Sequence, residues 1–367
     1  MPCEAQGSAH QRVLQTIADA RGWLPFDRFV AIALYEPGLG YYTRDSRQFG
    51  TMPASGSDFV TAPELSPWFG AALARQVRQA LTAAGSGEVC EFGAGSGALA
   101  EQLLDALGDA CTRYSIVDVS TALRARQQQR LARFGERVRW LDRLPSRING
   151  VVVGNEVLDA MPVQLLHFDG QQWFERGVAL CGTSSETLVW MDRATALHPP
   201  SAGSAVVPGT VTEIHRQGEA FITTLAEHLE CGAAFFIDYG FPEREYYHPQ
   251  RVGGTLVCHR AHLVDDAPLQ GVGDKDITAH VNFSAVALAA QEAGMTVAGY
   301  TSQARFLLNC GLPELLQRAA PHELPAAHKL IAEHEMGELF KVIALTRGLP
   351  ADFEAIGFAA GDRTHTL

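Results

Sequence analysis

The spacing of apolar residues changes twice along the chain. From about residue 10 to 85 they recur at helical intervals, in Val13, Leu14, Ile17 and Ala18 and again from Phe69 to Leu81, which predicts amphipathic helices. A loop rich in Gly, Pro and Tyr lies between them, at Tyr35 to Tyr42. Ser66 followed by Pro67 reads as a helix start, a capping residue with proline at the first helical position. From about residue 87 short apolar runs alternate with helical stretches. Strands are expected at Glu88–Phe92, Tyr114–Ser120, Val138–Leu141 and Gly150–Val157, with helices at Ala98–Gly108 and Ala122–Gly135. This alternation indicates βαβ units around a parallel sheet.

Residues 163–210 break the pattern with short alternating stretches such as Gln164–Phe168 and Thr187–Met191. With Asp169-Gly170 at one turn, they read as a small β insert containing a hairpin. The sheet resumes at Ala233–Gly240. A loop-rich segment over 241–282 follows, then a helix near Ser284–Ala293, a strand at Met295–Tyr300 and a last strand at Leu339–Arg347. The expected organisation is a helical N-terminal extension and lid (1–85), an α/β domain (86–347) carrying both inserts, and a loose tail (348–367).

Composition narrows the function classes. A hydrophobic share of 47% and a charged share of 19% in 367 residues describe an ordinary globular chain. No apolar run reaches the roughly 18 residues of a spanning helix, so membrane insertion is not expected. The N-terminus lacks a compact apolar signal region. The net charge of −12 argues against nucleic-acid binding, which needs a basic stripe. Seven scattered cysteines with no CxxC pair point to a reducing compartment and no metal site.

The candidate chemistry centres on one strand–turn–helix, Glu91-Phe-Gly93-Ala-Gly95-Ser-Gly97-Ala98. Glycines let the backbone turn tightly and approach a ligand closely. Taken alone they also satisfy the dinucleotide fingerprint. Glu91 separates the two readings, because a pyrophosphate at a helix start gains nothing from an added carboxylate. The ammonium and sulfonium of S-adenosylmethionine do gain from it. Asp118, at the end of the next strand, is placed for ribose hydroxyls under either reading. Asn155 and Glu156 end the fourth strand, on the side where open α/β sheets bind ligands.

With those residues in hand, the sequence resembles the MidA-like family of class I methyltransferases. The marks are Pro37–Tyr42, Asp58–Gly70, the Glu91 glycine motif, Asn155–Val163, Asp238–Gly240, Gly254–Leu256 and Asp276–Phe283, spread over residues 15–345. The resemblance implies a Rossmann-like, doubly wound α/β sheet of seven strands with the last antiparallel. It implies S-adenosylmethionine as cofactor, S-adenosylhomocysteine as product, and arginine methylation of a protein. A respiratory quinone-oxidoreductase subunit is the partner it suggests. Two positions depart from the pattern: Ser57 stands where Gly is frequent, and Asn282 where Asp is common.

Glu156 and Asp159 lie three residues apart and could share one side of a helical turn. Two carboxylates can grip a guanidinium in its bidentate geometry, so both are read as substrate-binding catalytic residues. His280 is a candidate base. Tyr41-Tyr42 and Thr61–Glu64 are read as a lid, with Glu64 among the cofactor contacts. Two other functions remain open at this stage: an assembly factor with a retained cofactor pocket, and an NAD-dependent oxidoreductase. The composition leans to a bacterial cytoplasm, or the mitochondrial matrix if the source is eukaryotic; oligomeric state is not legible.

Overall fold

The computed structural model describes residues 8–44, 60–182, 186–200, 206–260 and 263–367. Its centre is a sheet of seven long strands: β1 (Glu88–Phe92), β2 (Arg113–Val117), β3 (Val138–Leu141), β4 (Ile148–Asn155), β5 (Leu229–Phe241), β6 (Thr296–Ser302) and β7 (Phe340–Arg347). Their spatial order is 3-2-1-4-5-7-6, and a two-residue strand, Val281–Asn282, pairs with the end of β5. β7 runs antiparallel to both β5 and β6, while the pairs linking β3 through β5 are parallel. The order of strands reverses between β1 and β4. In such sheets that switch point opens a crevice at the carboxyl ends of the strands.

The apolar run of β4 is buried on both faces, as a central parallel strand requires. Two helical layers cover it. Helix α4 (Pro67–Ala84) and helix α5 (Ala98–Leu107) pack Phe69, Leu73, Val77, Leu99 and Leu103 against Val151, Val153, Phe235 and Ile237. On the opposite face α6 (Arg216–His228) and α7 (Phe283–Glu292) bring Ile222, Leu225, Phe283 and Val286 onto Val152, Ala234 and Phe236. The start of α4 matches its sequence signal: the Ser66 hydroxyl accepts from the Trp68 amide, Pro67 takes the first position, and Gly85 ends the helix in the left-handed region at φ 60°.

Residues 8–44 do not join α4 in a common extension. Helices Ala9–Asp19 and Phe26–Tyr35 pack instead on a second, antiparallel sheet built from the insert, where Trp173–Leu180 pairs with Gln164–Phe168 and Leu188–Ala194. The short strand Leu24–Pro25 adds to this sheet, and Val13, Ile17, Phe29, Val178 and Ile277 share one core. The insert therefore extends past residue 210 to the strand Val211–Ile214. The Asp169-Gly170 turn is present, with Asp169 accepting from the amides of Gln171 and Gln172.

Two other expectations are corrected. The loop-rich segment holds a three-stranded sheet of Val257–Arg260, Leu263–Asp265 and Asp276–Thr278. Its strands are too short for periodicity to reveal. Residues 348–367 are not a loose tail. Ala355 and Phe358 are buried in the main core, Phe358 meets the Phe306 ring edge to face, and the Gly357 amide donates to Gln76. Helices at Gln303–Asn309, Leu312–Leu316 and Leu324–Ile331 fill a stretch to which the sequence assigned nothing. Ser57 and Asp58 lie outside the described residues, and no helix among those described is long and apolar enough to cross a membrane.

Candidate active site

The carboxyl ends of β1, β2, β4 and β5 open into a cavity of about 870 Å³. Its floor is the glycine turn. Gly93, Gly95 and Gly97 all have positive φ, at 61°, 54° and 83°, a region open to glycine at little cost. Gly97 is also the N-terminal cap of α5. Gln127, fully buried on the helix Thr121–Leu131, ties this turn to the neighbouring strand: its amide donates to the Gly95 carbonyl at 2.9 Å and to Asp118 at 2.8 Å. Trp140 donates to the same side chain at 3.0 Å. Sequence reasoning missed Gln127, because it sits in a polar helical run with nothing to mark it.

Every proposed site residue of the glycine turn and of the ends of β1, β2 and β4 lines this cavity, except Gly97, which lies behind it. Glu64 lines it from the turn Ala62–Leu65 and is held by Ser96 and by Arg130, the latter at 3.1 Å. Glu91 is buried and accepts a hydrogen bond from the Tyr114 hydroxyl at 2.8 Å. Burial pushes its carboxyl up to about 8, against the lowering effect of Tyr114. Asp118 is raised by burial too, with the Ser120 amide and Gln127 acting in the opposite sense.

The Glu91 shift makes stability depend on pH. Its proton is held in the folded protein up to about pH 8 but is released near pH 4.5 when the chain unfolds. The stabilisation is therefore complete below about pH 4.5 and is lost as the pH rises towards 8. The loss is on the order of 5 kcal/mol across that window. Melting curves of the wild type between pH 5 and 8 should fall with pH, and those of Glu91→Gln should fall less steeply, the remaining slope coming from Glu156, Asp159 and Asp238, which are raised in the same sense. Equal slopes would show that Glu91 does not hold its proton.

The second half of the site is a turn following β4. Glu156 adopts φ 54°, rare for a residue with a side chain. The turn is clamped by Asp238 from the end of β5: one carboxyl oxygen accepts from the amides of Val157, Leu158 and Asp159 at 3.2, 2.9 and 3.2 Å, and the other from Tyr239 at 3.0 Å. Asp159 is thus held by this clamp, and its own carboxyl in turn accepts from Tyr239 and from the Ala160 amide. Burial first, then repulsion from Asp159, pushes Glu156 up to about 8. Burial also raises Asp159, and burial with the two neighbouring carboxylates raises Asp238. None of the three has an Arg or Lys partner among the described residues.

His280 reaches the cavity from the loop before Val281–Asn282. Its ring stacks on Phe241 at 5.3 Å and meets Tyr239 edge to face at 4.9 Å. Burial lowers its imidazole to about 4, so the ring is neutral at pH 7. Asn282 caps α7 through the Ala285 amide, a role open to Asn or Asp alike. From the other side Tyr35 donates to the Ala160 carbonyl and Tyr42 to Asp276, both at 2.8 Å, with their rings 5.6 Å apart.

The donor set fits a cationic nucleoside ligand. Three buried atoms on cavity-lining residues, Asn155 Oδ1, Asp159 Oδ1 and His280 Nδ1, have no hydrogen-bond partner among the described residues. Native interiors rarely leave such groups unmatched. Carboxyl oxygens at the ends of β1, β2 and β4 can accept from ammonium and hydroxyl groups and offer a pyrophosphate no counter-charge.

A sheet ordered 3-2-1-4-5-7-6 with an antiparallel seventh strand, and a glycine turn at its switch point, is the fold of a class I methyltransferase. The chain belongs to the family described as "putative S-adenosyl-L-methionine-dependent methyltransferase", whose model matches residues 72–301. It is similar to a COG1565 superfamily member from Burkholderia thailandensis, solved bound to S-adenosyl-homocysteine. The two are 50% identical, with a TM-score of 0.93, over 98% of this chain and 96% of that one. It is also similar to the mitochondrial protein arginine methyltransferase NDUFAF7 homolog of Caenorhabditis elegans, 26% identical over 87% of this chain and 84% of the relative. The Danio rerio protein arginine methyltransferase NDUFAF7 is 24% identical over 93% and 88%. The chain is an S-adenosylmethionine-dependent methyltransferase, and the dehydrogenase reading is set aside.

Proposed function

We propose that this methyltransferase acts on arginine guanidinium groups of a protein. The observation that carries the reading is the pair of carboxyls on the cavity wall, half-buried Glu156 and buried Asp159, which lack a cationic partner in the described residues. Buried acids without a cation are costly, and a guanidinium entering the cavity would relieve that cost. The names of the curated relatives support the same substrate class.

Bound S-adenosylmethionine would supply the methyl group from its sulfonium centre. On this reading Glu91, Asp118, Asn155 and Glu64 hold the cofactor, with Gly93, Gly95 and Gly97 shaping the turn beneath it. Glu156 and Asp159 orient the guanidinium, and their negative charge offsets the repulsion between two cations. The transfer also leaves a proton to place. His280, lowered to about 4, binds protons weakly, whereas Glu156, at about 8, binds them well near neutral pH. Once it has lost its proton to bind the guanidinium, Glu156 is therefore the acceptor, and His280 supplies a neutral hydrogen-bonding edge through Nδ1.

Incubation of the purified protein with methyl-labelled cofactor and an extract of its source organism, followed by acid hydrolysis of the labelled protein, tests this. Label is expected in methylarginine. Label confined to lysine, glutamine or small molecules would refute the arginine assignment.

A further inference from the structure

The three-stranded sheet hidden in the 241–282 segment links the active-site cavity to the molecular surface. Its strand order places Leu263–Asp265 on the outside, Val257–Arg260 in the middle and Asp276–Thr278 within. Asp276 pairs directly with His259, and His259 with Val264. Directly opposed residues point to the same face of a sheet. Asp276 and His259 both line the cavity, so Val264 continues that wall outward as the third member of one row. It is 66% exposed, and its neighbour Leu263 is 73% exposed.

Proteins normally protect an outer strand with charge, proline or a covering segment. Here two of the three residues are exposed and apolar, and the strand has no second neighbour among the described residues. An outer strand of this kind binds extended chains through its backbone.

We propose that the substrate protein docks here as an extended segment, adding a fourth strand beside Leu263–Asp265. This rests on the arginine reading above and specifies how the substrate arrives. Strand spacing of about 4.8 Å puts the added strand roughly two spacings from His259. An arginine side chain spans only about 7 Å, so one on the cavity-side face would lie across Val264 and end short of His259. The target arginine therefore sits just beyond the docked strand, where the peptide turns along the row towards Asp276 and the carboxyls beyond. Charge favours this occupant: the row leads into a cluster of acids, in a chain of net charge −12. A neutral apolar partner would gain nothing from that cluster.

The test uses a pool of twelve-residue peptides with arginine at the centre and randomised flanks. The same pool with alternate backbone nitrogens methylated, and acetyl-arginine amide, serve as controls. Methylation of each is compared in the wild type and in the double variant Leu263→Asn with Val264→Asn. Both positions are exposed, so the variant should fold, and unchanged S-adenosylhomocysteine binding would confirm it. The expected result is a KM for the peptide pool raised about tenfold in the variant, or on backbone methylation, which corresponds to roughly 1.4 kcal/mol of docking. Turnover of acetyl-arginine amide should be unchanged. If peptides and amide respond alike, or neither responds, docking at this edge is overturned while the arginine reading stands. If no arginine compound is methylated, both fall. A wild-type dimer that the variant dissociates would show that the edge serves a second copy of the chain, and would also overturn the proposal.

Discussion

Glu156→Gln is expected to reduce methyl transfer by about 150- to 5,000-fold while leaving cofactor affinity within a few-fold of the wild type. The magnitude follows from removing one partner of a buried ion pair, which costs about 3–5 kcal/mol. Glutamine preserves the side-chain volume and can still accept from the Asn155 amide, which donates to Glu156 at 2.9 Å. The loss would therefore report charge and proton affinity. The pH profile adds a sharper readout. Because burial and Asp159 raise the Glu156 carboxyl to about 8, the free enzyme carries it protonated at pH 7. Binding a guanidinium requires the charged form. Wild-type kcat/KM should thus climb with pH through about 8, and the variant should lack that limb. A variant with normal turnover and an unchanged profile would remove Glu156 from the reaction.

Asp238→Ala is expected to be the most destabilising single change in the site. It strips one acceptor from three buried amides, those of Val157, Leu158 and Asp159, in a turn that already holds Glu156 at a positive φ. Unmatched buried donors cost about 1–3 kcal/mol each where they cannot rehydrate. Partial relaxation brings the expected total to roughly 3–5 kcal/mol, at the upper end for single substitutions. Asp238→Asn retains a carbonyl oxygen for the amides and should cost far less. Asp238 is held neutral by burial and is not among the groups that raise Glu156, so the rise of kcat/KM near pH 8 should stay in place. Chemical denaturation of both variants, with the pH profile of the Asn form, checks this. An Ala variant as stable as the Asn variant would mean that the clamp contributes little.

The sequence revealed the parts of this fold that repeat a period. The strands β1, β2 and β3 are apolar, short and separated by single helices, and β4 and β5 carry continuous apolar runs, so their pattern was visible without any structure. The glycine turn was equally legible, since three glycines within five residues meet a backbone requirement that few other residues can meet. Legibility failed where a role depends on contacts distant in sequence. Asp238 was noted as an acid on the ligand side, but nothing local shows that it serves a turn some 80 residues earlier. Gln127 bridges the glycine turn and Asp118 from a helix whose polar composition conceals it. The pairing of the first two helices with the β insert joins segments more than 130 residues apart. The three-stranded sheet has strands of three or four residues, below the length at which alternation can be read.

The position of β7 bears on how the chain folds during synthesis. It runs against both β5 and β6 in the middle of the sheet, and residues 355–358 then complete the core behind it. Every partner of β7 is made before β7 itself. Until it emerges, β5 exposes the edge that β7 will occupy, and β6 has no neighbour in the sheet. Nascent chains fold largely from the N-terminal end, so the earlier strands must wait with an open, apolar edge. A pause or premature stop in the last tenth of translation would leave a species prone to pair with its own copies through β5, while an interruption before β5 would leave β4 with the open edge instead.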